Sequence, residues 1–238
     1  MNHTEKAINA IFAIQRSART ALENVPVPPL GAAPAWIDGL LDATHVLQGF
    51  DSDRVQHLDR ETLRGILDHS PKQFLKWDCR AGNAAISDDG NLCWFDFEYC
   101  GMRHGAEDFA WLIGDESWPV DAKTMFGIVE ACLRNDGHTD VDSYMHYLAI
   151  YSTFHMLQRL ALINAEVDRR GWRGMKKIIE RDDVGRHPVF AAMLCRNAMY
   201  SASLSPLTAP LRRGFKRAAN WHDKQAVKLK MRSKNTPA

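Results

Sequence analysis

"KWDCRAGNAAISDDGNLCWFDFEYCG", residues 76–101, sets Asp78, Asn83 and Asp96 into a stretch that otherwise reads as two short apolar strands around a tight turn. "NAAIS" and "LCWFDF" are β-branched or aromatic, and "DDGN" lies between them. Its Asp89-Gly90 pair suits a hairpin because Gly takes positive φ without a Cβ clash. The hairpin returns the chain so that Asn83 and Asp96, thirteen residues apart in sequence, come to lie side by side at the strand ends. The spacing of Asp78 and Asn83 alone carries little, since 20 Asp and 10 Asn in 238 residues produce about one such pair by chance.

Working outward, residues 5–23 repeat Ile8, Ile11, Phe12, Ala18 and Leu22 at helical intervals behind Thr4 as N-cap. "VPVPPLGAAP" breaks that helix, a second starts at Pro34 with Trp36, Ile37, Leu40, Leu41 and Leu47 inward, and a third follows Asp59 and ends before Ser70-Pro71. "FLKW" reads as a further short strand, so the centre is a small β element. Beyond Gly105 the periodicity is helical again over 106–113, 122–134, 141–169 and 189–204. The 141–169 segment is apolar nearly all round, the mark of a helix packed on several sides.

The chain is long enough to bury about 70–75% of its unfolded surface, and one large domain or two small ones would fit its length. No apolar run reaches the ~20 residues that span a bilayer, and "MNHTEKAINAIF" lacks the plan of a signal peptide. The expectation is a cytoplasmic protein. Five cysteines without a CxxC pair argue against a zinc site or a disulfide framework. Residues 212–238 hold nine Lys or Arg and one acid, while residues 1–211 hold 21 basic and 28 acidic side chains, a net −7. Leu211, Phe215, Ala218 and His222 recur at helical spacing in this basic tail, which indicates a docked terminal helix with a solvated cationic face rather than a nucleic-acid-binding arm.

Two carboxylates about 6 Å apart repel by roughly 3 kcal/mol at an effective dielectric of 20. A divalent cation offsets this: Mg²⁺ takes oxygen ligands, retains waters and is shared between one or two side chains and a substrate phosphate. An Asp that orients a hydroxyl, with an Asn and a second Asp on the metal, is the arrangement of phosphoryl transfer. The rival reading makes Asp78 and Asp96 caps for nearby backbone donors, and Asp108 an N-cap of "FAWLIG".

"KWDCRAGN", "WFDFEYCG" and "HGAEDFAWLIG" occur in that order, and over residues 74–115 the chain resembles the aminoglycoside phosphotransferase and choline kinase group, small-molecule relatives of the protein kinases. Members of that group carry motifs such as "HGDLHPGN", "IDFEY" and "GDPAYDLA". The resemblance implies Asp78 as catalytic base, Asn83 and Asp96 as Mg²⁺ ligands, and Asp108 as the acid that braces the catalytic loop through backbone N–H groups. It also implies Glu98 beside the metal or facing substrate, and helices after Asp108 walling the pocket of an acceptor. Arg80 is expected to face phosphate or solvent, and Lys76, which stands where the group has His, to substitute as a phosphate contact. Trp77, Trp94 and Trp111 are candidates to line a pocket for a cationic substrate, or else core. His104 and His155 read as hydrogen-bonded imidazoles rather than metal ligands.

Departures from the group are as informative. The residues ahead of Asp78 read as helices and contain neither GxGxxG nor a "VAIK"-like strand. The expected fold is therefore α+β, a single kinase-like C-terminal lobe over 1–238 that is mostly helical with a central hairpin, its N-terminal β lobe missing. Three explanations fit: a reading frame that begins late, an inactive relative kept for binding, or a second chain that completes the nucleotide site. The expected function is transfer of the ATP γ-phosphate to a hydroxyl of a small molecule, with a cationic aminoglycoside- or choline-like amine favoured by the acidic body. The alternative is a non-catalytic, pseudokinase-type binding protein.

Overall fold

Asn2 opens the first helix, α1 (His3–Ala21), through a capping box: its side chain accepts from the Glu5 N–H while Glu5 accepts from the Asn2 N–H, both at 2.9 Å. Thr4, the expected cap, lies inside the helix and is buried, its hydroxyl accepting from Trp118 Nε1 at 3.1 Å. The computed structural model describes residues 2–68 and 72–234, without the side chains of 232–234. The Ser70-Pro71 stop expected for the third helix lies outside the described residues.

Helix α2 (Pro34–Asp42) begins on its proline and passes into a 3-10 turn, Ala43–Leu47, rather than running on to Leu47 as one α-helix. Helix α3 (Gln48–Gln56) breaks at Asp51, whose φ of −162° and ψ of 70° are not helical. Helix α4 (Arg60–Asp68) is capped by Asp59, which accepts from Thr62 N–H at 3.0 Å and from its hydroxyl at 2.7 Å.

Four three-residue strands follow. β1 (Gln73–Leu75) pairs antiparallel with β4 (Gly101–Arg103), and β2 (Ala84–Ile86) with β3 (Leu92–Trp94), Ala84 opposite Trp94. The β2–β3 hairpin turns at Gly90, φ 80°. The single β element expected from sequence is thus two separate sheets. The partner of "FLKW" went unread because β4 is three residues with no alternation. It is held from outside as well: Leu30 N–H donates to Met102 O and Met102 N–H to Pro28 O. A side chain at Gly101 would collide with Leu30 and Pro28, so only glycine lets that segment approach.

The rest is helical: α5 (Ala106–Ile113), α6 (Ala122–Asn135), α7 (Val141–Arg170), α8 (Met175–Glu180), α9 (Pro188–Ser203) and α10 (Arg212–Lys234). Helix α7 is the central post. Leu148, Ile150, Phe154, Leu157 and Ile163 are all buried although they point to different sides, because α2, α4, α5, α6 and α9 pack around it. Each such side chain contributes about 1.5–3 kcal/mol by leaving water. Helix α10 docks along α9 with Phe215, Ala218 and His222 buried, and Leu211, which ends the 3-10 turn Ala209–Leu211 just before it, is buried as well. Arg213 reaches from α10 to the buried Asp51 carboxylate, which fixes the break in α3. The chain is mostly helical with a small antiparallel β component, an α+β arrangement. No helix among the described residues is long and apolar enough to cross a membrane.

Candidate active site

The loop from Lys76 to Asn83 leaves β1 and enters β2, and α5 grips it at both ends. Asp108, fully buried in the first turn of α5, accepts from Trp77 N–H at 2.7 Å, from Lys76 N–H at 3.2 Å and from Gln15 Nε2 at 2.9 Å. Asp115, just past the helix end, accepts from Ala81 N–H at 2.7 Å. Burial raises both carboxyls despite these bonds, Asp108 to about 6. Between the two anchors Trp77 and Asp78 take φ of 56° and 46°, and Asp96, after β3, takes 60°. Positive φ at non-glycine residues is a conformation that the surroundings must impose.

Lys76 supplies part of that imposition. Only 1% exposed, its ammonium donates to Asp96 O at 2.8 Å, Trp77 O at 3.3 Å and Asp78 O at 3.4 Å, and lies 5.4 Å from the Phe97 ring centre. The expectation that Lys76 reaches phosphate is corrected: three carbonyls of the two left-handed segments hold it inside, joining them.

Asp78 carries a carboxylate 14% exposed. Arg80 donates to it through Nε at 2.7 Å and Nη2 at 3.3 Å, and Asn83 Nδ2 donates at 2.8 Å while also bonding Asp78 O at 2.9 Å. Burial pushes the Asp78 pKa up, but the Arg80 and Asn83 bonds and the nearby charges win, and the carboxyl sits below its ordinary value. Arg80 extends on to Asp182 at 3.3 Å. Arg80 clamps Asp78 while lining the cavity beside it, and so supplies a resident cation against the carboxylate repulsion.

Asn83 is buried, and Phe95 N–H donates to its carbonyl at 3.0 Å, so the hairpin sets Asp96 next to the residue facing Asn83. Its Nδ2 is spent on Asp78, which leaves Oδ1 as the atom with metal-binding chemistry. The Asp96 side chain is exposed and has no hydrogen bond or ion pair among the described residues. No group of three or more His, Cys, Asp or Glu that could hold a metal occurs among the described residues. The exposed Asp96 carboxylate and the Asn83 carboxamide oxygen are oxygen donors of the chemical type that Mg²⁺ takes. Glu98 is exposed, and its charge raises the phenol of Tyr99, to which burial, Asp78 and Asp96 add.

A cavity of about 450 Å³ opens beside Asp78, lined by Trp77, Trp111, Tyr99, Arg80, Arg159 and Asp182 among others. The Trp77 and Trp111 rings stand edge-on at 6.1 Å. Trp94 is not part of this wall; it is buried and donates to Ala7 O at 3.2 Å. His155 packs against Trp111 at 4.3 Å with Nε2 unpartnered among the described residues, so its expected hydrogen bond is not formed at that nitrogen.

Sequence reading missed Asp115, Gln15, Tyr99, Arg159 and Asp182. Asp182 comes from the polar connection after α8 with φ of 44°, and its carboxylate occupies the space a side chain on Gly82 would fill. Arg159 is held by Glu116 at 2.7 Å and 3.2 Å, and Glu116 in turn accepts from Gly185 N–H. The one local signal was Asp115 directly after the Gly114 helix end. The others are brought in from distant segments by tertiary packing. No family model, no curated protein and no solved structure matches this chain.

Proposed function

We propose that this protein is a Mg²⁺-dependent phosphotransferase of the aminoglycoside phosphotransferase and choline kinase type, acting on a hydroxyl of a small molecule in the cavity beside Asp78. The observation that carries the reading is the construction of the 76–83 loop. Two left-handed non-glycine residues in it, Trp77 and Asp78, and a third in the turn after β3, Asp96, cost of order 1–3 kcal/mol each, and connections needed only to join strands have no use for them. Here a buried acid, a buried lysine and an asparagine all serve to hold that conformation.

In this reading Asp78 accepts the hydrogen of the acceptor hydroxyl and aligns its oxygen. Its lowered pKa keeps it ionised at neutral pH, and weak basicity suffices, because phosphoryl transfer asks mainly for positioning and charge stabilisation. Asn83 and Asp96 would hold Mg²⁺, which would supply charge neutralisation on the donor phosphates of ATP. Trp77, Trp111 and Tyr99 wall the acceptor and exclude water. Arg80, which lines the same cavity, is placed to meet the phosphoryl group.

The second reading, a non-catalytic binding protein in cytoplasmic service, draws on that same clamp: with Arg80 and Asn83 both on Asp78, the carboxylate is already satisfied. Calorimetric titration with ATP and Mg²⁺ separates the two. The catalytic reading expects saturable heat from the natural protein and at least ten-fold weaker binding by Asp96→Asn. No heat from the natural protein defeats it and leaves the binding-protein reading.

A further inference from the structure

Arg159 of α7 lines the cavity beside Asp78, and phosphoryl transfer at Asp78 gives it no task. Its guanidinium is nonetheless fixed from two other segments. Nε and Nη2 donate to the two Glu116 oxygens at 3.2 Å and 2.7 Å, and Glu116 accepts from Gly185 N–H at 2.9 Å. The Glu116 side chain is 3% exposed and that of Arg159 13%. A Cβ on Gly185 would stand 2.2 Å from Glu116 Cγ, so glycine at that position admits the carboxylate. The guanidinium is thus aimed before any ligand arrives.

A guanidinium has two edges that present paired N–H groups, Nε with Nη2 and Nη1 with Nη2. Glu116 fills the first edge. The second is unspent, since Nη1 has no hydrogen-bond partner among the described residues and is not sealed from water. The Asp78 carboxylate, by contrast, already accepts from Arg80 and Asn83. An open fork of parallel N–H groups matches a carboxylate, whose two oxygens accept both. We infer that the molecule taken by this cavity is a hydroxy acid, its carboxylate on the Nη1–Nη2 edge of Arg159, its hydroxyl at Asp78 and its apolar body against Trp77, Trp111 and Val184. The role of the hydroxyl rests on the phosphotransferase reading, whereas capture of the acid does not.

The wall of the cavity outranks the acidic body of the chain in choosing the ligand. The net −7 of residues 1–211 is spread over the molecule, and exposed charges more than about 8 Å away are largely screened at physiological salt. Nearer in, the carboxylates that would attract an amine are engaged: Asp78 by Arg80 and Asn83, and the half-exposed Asp182 by Arg80 at 3.3 Å. Glu116 offsets the charge of Arg159 in turn, so direction rather than net charge selects. The free edge of Arg159 only donates, and an ammonium has no atom with which to accept. A hydroxy acid therefore displaces the hydroxy amine favoured on overall charge. At about 450 Å³ the cavity has the size of a small-molecule site.

The test is calorimetric titration of the full chain, without nucleotide, with three molecules that share one ring and one hydroxymethyl group and differ at the para position. They are p-(hydroxymethyl)benzoate, the neutral p-benzenedimethanol and the cationic p-(aminomethyl)benzyl alcohol. The acid is expected to bind saturably and about ten-fold or more tightly than the diol, as a charge-assisted pair contributes, and the amine no better than the diol. Arg159→Lys keeps the charge but has no fork; it is expected to weaken the acid about ten-fold and leave the diol within about two-fold, a selective loss that damage to the fold does not produce. Absence of saturation by the acid, an amine bound as tightly as the acid, or an Arg159→Lys protein that binds the acid unchanged or loses acid and diol alike would overturn the inference. The titration with ATP and Mg²⁺ is separate. No heat there removes the phosphotransferase reading and leaves a cavity for hydroxy acids, whereas ATP binding with the amine preferred removes this inference alone.

Discussion

Lys76 is the residue whose surroundings most change its meaning. In sequence it is a cation next to a candidate base; in the fold its ammonium joins the Trp77–Asp78 turn to the Asp96 turn through three main-chain oxygens. A buried ammonium is tolerated only when its donors are used, and removing it strands those carbonyls. Lys76→Met is accordingly expected to lower stability by about 2–4 kcal/mol, read as a lower urea midpoint with an unchanged slope. An unchanged midpoint would show that the three bonds are not what holds the turns. The hairpin that sets Asn83 opposite the strand leading to Asp96 was legible because its two strands and its Asp89-Gly90 turn are local in sequence. Asp108 meets the backbone N–H groups of Lys76 and Trp77, a contact that the resemblance alone implied. The roles of Lys76 and Arg80 were not legible, since a long flexible cation can face water or turn inward, and only the burial of the surrounding loop decides.

At the scale of elements, α5 does the most with the fewest residues, because its two ends hold the loop while its middle packs on α7. That packing has no slack at Gly114, where an added Cβ would stand 2.6 Å from His155 Cδ2 and 3.0 Å from Ala110 O. Gly114→Ala must push α5 and α7 apart or rotate His155 against Trp111. The expected cost is about 1–3 kcal/mol, together with a changed environment for Trp111, so thermal melts and tryptophan fluorescence report it jointly. Stability and spectrum both like those of the natural protein would mean that the helices are looser than their contacts imply. The helices were readable from sequence to within a residue or two where the period ran long, as over 122–134 for α6 and 141–169 for α7. Helix α8 and strand β4 were not, being one or two turns and three residues long, too short for a period to form. The break in α3 was also hidden, since it is set by Arg213 from the far end of the chain.

Over the whole molecule, the core holds imidazoles that it does not allow to ionise. Burial is the main cause in each case: His104 falls to about 4, with Arg103 and His138 adding to the effect, His155 to about 3 with Arg159 adding, and His222 to about 4 against a small opposing pull from Asp223. A histidine depressed in the folded state contributes stability that is complete above its unfolded pKa near 6.5 and is lost as pH falls toward the folded value. Glu107 and Asp108 act in the opposite sense over much of the same range, because burial raises them and the folded state holds their protons more tightly. The net curve therefore mixes many groups, Asp115 and His187 among them, and only a difference between two proteins isolates one of them. His222 suits this because it packs between Trp221 and Trp172 with Nδ1 unpartnered, so a phenyl ring takes its place without stranding a donor. Each proton bound differently by the two states tilts stability by about 1.4 kcal/mol per pH unit. His222→Phe is expected to unfold in urea less steeply with acid than the natural protein by up to that amount between pH 6.5 and 4, the two converging above pH 7 apart from a constant offset. Parallel curves across the window would mean that His222 takes up its proton inside the fold, and the packing of α10 would then have to open on acidification to admit it.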